Sequence, residues 1–76
     1  MNKKYELAVQ YMHPKEGRVI VTVSVVYAQF PSIPVCSLDV SIDRDEKFGI
    51  TFYETEALKK TADIISGIAD DLKEAV

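Results

Sequence analysis

The chain opens with a run of alternation. Over residues 4–12, Tyr5, Leu7, Val9 and Tyr11 fall on one side and Glu6, Ala8, Gln10 and Met12 on the other. A period of two is the mark of a half-buried strand. Residues 13–17, HPKEG, then read as a turn, with Pro14 early in it and Gly17 supplying a positive φ at its end. The longest apolar, β-branched run follows, Arg18 to Phe30. One of its faces is Val19, Val21, Val23, Val25 and Tyr27, and the other is the mixed row Ile20, Thr22, Ser24, Val26 and Ala28. Pro31 and Pro34 lack amide donors and interrupt the pattern, so FPSIP reads as a wide connection or an edge irregularity. Residues 35–43 alternate again, with Cys36, Leu38, Val40 and Ile42 inward and Ser37, Asp39 and Ser41 outward. After the charged turn DRDEK, the alternation of Phe48, Ile50 and Phe52 points to one more strand over 47–53.

The period changes in the last third. Leu58, Ala62, Ile65, Ala69, Leu72 and Val76 recur every three or four residues, which is the apolar stripe of a helix over 56–75. Thr55 suits its N-cap, and Glu56/Lys60 and Lys59/Asp63 are opposite-charge pairs at i,i+4. The pattern as a whole predicts one α+β domain, residues 1–76. Its architecture is a four-stranded antiparallel β-meander (strands about 4–12, 18–29, 35–43 and 47–53) with one C-terminal α-helix (about 56–75) packed on one face.

Size sharpens this picture. A chain of 76 residues buries only about 60–65% of its unfolded surface and has a small core of its own. Small domains compensate with disulfides, metals or oligomerisation. One cysteine, Cys36, excludes an internal disulfide, and a single histidine beside it argues against a structural zinc site. No cofactor is implied. Oligomerisation or a larger protein partner is left, and a helix covering one sheet face leaves the other open. That face carries Ala8, Met12, Ile20, Val26, Ala28, Val35 and Tyr53 among polar neighbours, which makes these residues the expected interface.

Charge changes the list of partners. Nine basic and twelve acidic residues give a net charge of −3. Residues 1–53 are balanced, so the excess lies in 54–76, where Lys59, Lys60 and Lys73 face six carboxylates. This opposes nucleic-acid binding, which requires phosphates neutralised by Lys and Arg. The first residues, MNKKYELAVQYM, lack the apolar core of a signal peptide because Glu6 and Gln10 interrupt them. No run approaches the ~20 apolar residues that span a bilayer. The expectation is a soluble, cytoplasmic protein with no membrane role.

The candidate chemistry is thin. His13 stands in a turn with no nucleophile or carboxylate placed to work with it. Cys36 falls on an inward position, whereas a reactive thiolate needs exposure and a cationic neighbour. Asp43, Asp45 and Glu46 faintly resemble a calcium loop, but Lys47 occupies a ligand position and Gly49 comes one residue late. Ser37, Asp39 and Ser41 form a polar row without a histidine. The sequence therefore argues against an enzyme. It favours a small non-catalytic protein–protein interaction module of inhibitor or adaptor type, a homodimer through the open sheet face or a sheet edge. The alternative is a nucleic-acid-associated accessory protein.

Overall fold

The computed structural model describes residues 3–75. Its elements are β1 (Tyr5–Lys15), β2 (Arg18–Tyr27), β3 (Phe30–Asp43) and α1 (Ile50–Ala75). The strands form an antiparallel sheet of three in the order β1-β2-β3, so β2 is central and both neighbours are edges.

The first hairpin is tighter than HPKEG suggests. β1 continues through His13 and Pro14, which lie opposite Ile20 and Val19, and the turn is only Glu16–Gly17. Gly17 has φ 79°, a left-handed conformation that glycine adopts without a Cβ penalty. The Gly17 carbonyl also accepts the Arg44 N–H at 3.1 Å, tying the end of β3 to this turn. The second hairpin is tighter still. Tyr27 pairs with Phe30 across Ala28–Gln29, so FPSIP is the start of β3 and not a wide connection. An edge strand tolerates proline because one row of its backbone groups has no ladder to complete. The cost shows as register shifts on either side of Val26.

A β-bulge resets the faces of β1. The register steps from Val9↔Val23 to Tyr11↔Thr22, leaving Gln10 as the extra residue. A bulge of one residue exchanges the two sides of everything beyond it. Met12 therefore lies opposite Val21 and packs against the core, while Tyr11 is exposed on the open face. The alternation read straight through residues 4–12 has both reversed.

Among the described residues there is no fourth strand. Residues 50–53 are the first turn of α1, which begins six residues before the expected start and runs on to Ala75. The Gly49 carbonyl accepts the Phe52 N–H at 3.1 Å and the Tyr53 N–H at 3.5 Å, so Gly49 takes the capping position expected of Thr55. Tyr53 then locks the approach: its hydroxyl accepts the Asp45 N–H at 3.0 Å and donates to the Asp45 carbonyl at 2.9 Å. Phe48, Ile50 and Phe52 alternate, but the residues that reach the sheet are Tyr53, Ala57 and Thr61, spaced by four.

Tyr53 and Ala57 meet Val19, Val21 and Val23 on β2, and Thr61, one turn further on, is fully buried. Leu7, Val9, Met12, Ile42, Phe52 and Leu58 close around them half-buried. Cys36, expected in the core, lies midway along β3 opposite Val25 and is exposed. Of the two expected helix pairs, neither forms within 4 Å among the described residues; Lys59 instead meets Glu56 at 3.7 Å, and Lys60 donates to the Ser41 carbonyl at 3.0 Å. The core is confined to the first half of the helix. A helix of 26 residues is about 39 Å long at 1.5 Å per residue, and beyond Thr61, among the described residues, only Ile64 is half-buried.

Candidate interaction surfaces

The expected interface residues do not form one surface. Ala8 and Ile20 lie half-buried on the open side of the sheet, and Val35 is exposed on β3 at the register shift. Ala28 sits in the β2–β3 turn. Val26 is on the open side but is 3% exposed, in a recess shared with Tyr11, Pro31 and Pro34. Met12 is turned to the core by the bulge, and Tyr53 belongs to the helix and its core contact. Those two are corrections: the first arises from one extra residue in β1, the second from a helix that starts at Ile50.

The open face is closed upon itself chemically. Thr22 Oγ1 donates to Asp39 Oδ1 at 2.6 Å, and the hydroxyls of Ser24 and Ser37 share a bond of 3.1 Å. These cross-strand pairs occupy the polar row and stabilise the sheet in the manner of side-chain pairs on a solvated face. The edges are guarded. Pro31, Pro34 and two register shifts interrupt β3, while Pro14 and the Gln10 bulge interrupt β1. Bulges and prolines of this kind discourage edge-to-edge pairing.

The charged groups at the hairpin end balance in number. Lys15, Arg18, Arg44 and Lys47 stand among Glu16, Asp43, Asp45 and Glu46, and the Arg44 guanidinium donates to the Lys15 carbonyl at 3.2 Å. The acidic turn is a scaffold: Asp45 Oδ1 accepts the Lys47 N–H at 3.0 Å while its backbone is held by Tyr53. Among the described residues, no group of three or more His, Cys, Asp or Glu converges as a metal site would need. The His13 ring lies beside that of Tyr11, with centroids 6.4 Å apart.

The apolar surface lies elsewhere. Ile65, Ile68 and Leu72 are 36%, 49% and 59% exposed along the outer half of α1. They continue the side of the helix that Tyr53, Ala57 and Thr61 press on the sheet, about one to three turns beyond Thr61, where the fold no longer buries it. Beside them a groove of about 650 Å³ runs between α1 and β1, floored by Leu7, Val25, Ala62 and Ile65 and walled by Tyr5 and Ser66. Lys3 and Glu6 stand at its rim. The stripe was legible in the sequence as a helix face. What marks it as surface is its length: it is too long for the sheet it follows.

Residues 1–75 match the family described as "Protein of unknown function (DUF1327)". The chain belongs to this family. It is also similar, at 32% identity over 76 residues, to "Uncharacterized protein YdfR" of Escherichia coli (strain K12), an alignment that covers 100% of this chain and 74% of that protein. No solved structure matches. Among the described residues, no helix of this DUF1327 member is long and apolar enough to cross a membrane.

Proposed function

We propose that this DUF1327 protein is a small non-catalytic interaction module that works as a homodimer. The observation that carries the reading is surface left over after folding. The chain exposes 5944 Å² at a mass of 8.5 kDa, against about 4,650 Å² for a folded monomer of that mass. Its radius of gyration is 13.8 Å, against about 11.4 Å for a compact domain of this length. The surplus of roughly 1,300 Å² per chain falls in the range that each subunit of an obligate dimer gives up. The fully buried side chains are few, and large apolar side chains stand exposed on the strands and, as Ile65, Ile68 and Leu72, on the outer helix.

The non-catalytic part rests on how the polar groups are used. Asp39, Ser37 and Ser24 are spent on cross-strand pairing, and Asp45 on holding Tyr53. A reducing compartment suits the single exposed thiol of Cys36, so the reading places the module in the cytoplasm. Sedimentation equilibrium over a concentration series tests the assembly. The expected species has twice the 8.5 kDa chain mass; an 8.5 kDa monomer persisting at high micromolar concentration overturns the proposal.

A further inference from the structure

Self-association leaves open which surface pairs. We propose that two copies of this chain join through the outer half of α1, laid antiparallel, each filling the other's groove with Ile68 and Leu72. This rests on the homodimer reading and adds its geometry.

The competing surfaces are each disfavoured by something built into them. The open sheet face has its polar groups paired by the Thr22–Asp39 and Ser24–Ser37 bonds, so burying it desolvates groups that have nothing to gain. The two edges are broken by prolines and bulges. The outer helix has no such protection. Ile65, Ile68 and Leu72 stand in a row beside the groove between α1 and β1, and no polar side chain interrupts the row on that side.

A second copy fits this surface for three reasons. A two-fold interface must be complementary to itself. With the axis passing between Ile65 and Ile68, those two side chains pack across it, and Leu72 of one copy lies over the small Ala62 of the other. Large side chains then meet small ones, as interdigitating helices require. The second reason is charge. Asp70, Asp71 and Glu74 crowd the end of α1, and the antiparallel arrangement carries that acidic end to the groove rim, where Lys3 stands beside Glu6. The third is area. The stripe supplies Ile65, Ile68 and Leu72 and the groove Tyr5 to the exposed apolar surface, and covering them removes part of the surplus over the area expected of this mass.

The test combines three variants with the sedimentation series. Ile68→Lys with Leu72→Lys is expected to reduce dimer affinity at least 100-fold while the helical circular dichroism of the β-sheet-packed half persists. Tyr11→Lys, on the open sheet face, is expected to leave affinity within threefold. Ile68→Cys in a Cys36→Ser background is expected to give a cross-linked dimer with a short bismaleimide, whereas Glu56→Cys in that background is expected to give none. A wild-type dimer that Ile68→Lys/Leu72→Lys leaves intact overturns the interface and keeps the self-association reading. So does loss of the dimer in Tyr11→Lys alone. A monomeric wild type overturns both. If the double lysine variant unfolds, the cross-linking pair decides: equal yields at positions 68 and 56 refute the helix interface.

Discussion

The Tyr53 hydroxyl is expected to be worth more than its position at the start of a helix implies, and Tyr53→Phe isolates it. The ring is 7% exposed and keeps its packing against Val19, Val21 and Val23 in the variant. What disappears is one oxygen that accepts the Asp45 N–H at 3.0 Å and donates to the Asp45 carbonyl at 2.9 Å. A typical intramolecular hydrogen bond contributes about 0.5–1.5 kcal/mol net, and an unpaired buried partner costs more than the bond supplied. Both bonds are part-buried, so water recovers some of the loss, and the expected cost is about 1–2 kcal/mol. For a domain of 60–100 residues that corresponds to a fall in Tm of about 5–15 °C. Thermal unfolding followed by far-ultraviolet circular dichroism measures it, at one fixed chain concentration because a dimer's stability depends on concentration. Hydrogen exchange at the Asp45 amide gives a local readout, expected to accelerate in the variant. A Tm within 2 °C of wild type, with unchanged exchange at Asp45, refutes the view that this side chain pins the β3–α1 connection.

Two further substitutions test the energetics of α1 directly. Thr61 is fully buried and its Oγ1 has no hydrogen-bond partner, so Thr61→Val replaces an unsatisfied hydroxyl with a methyl of the same shape and is expected to stabilise by about 1 kcal/mol in urea unfolding; a loss of stability would show that the hydroxyl is bonded after all. Gly67 lies in the helix interior, and a Cβ there meets nothing within 4 Å. Gly67→Ala is therefore expected to raise stability by about 0.8–1 kcal/mol. A destabilised Gly67→Ala dimer would mean that a second chain approaches the helix closely at Gly67, away from the Ile65–Leu72 row.

Much of the sheet was legible because β2 and β3 obey a simple rule. Val19, Val21 and Val23 face the helix, and Leu38, Val40 and Ile42 stand opposite them in register, as alternation alone dictates. The rule fails where one backbone event intervenes. Met12 and Tyr11 exchange sides because of a single unpaired residue, Gln10, and nothing in a run of alternating side chains announces an extra residue in the ladder. The segment from Phe48 to Tyr53 fits both periods at once: alternate residues are apolar, and Tyr53 also begins a spacing of four through Ala57 to Thr61. Local pattern cannot choose between them. The choice follows from the Tyr53 hydroxyl meeting Asp45, a contact that the turn geometry creates.

The candidate interface divides the same way. The apolar stripe Ile65, Ile68 and Leu72 is written in the spacing of the chain, as is the amphipathic helix that carries it. Whether such a stripe is core or surface depends on what lies opposite it. Residues 50–53 do not belong to a fourth strand; they open a 26-residue helix over a three-stranded sheet, and that helix is buried against the sheet only through its first half. Secondary structure follows from short-range sterics and periodicity, which each stretch of sequence carries by itself. Burial is a property of two elements in contact, and only their arrangement in space determines that the inner half of α1 closes the fold while the outer half remains exposed.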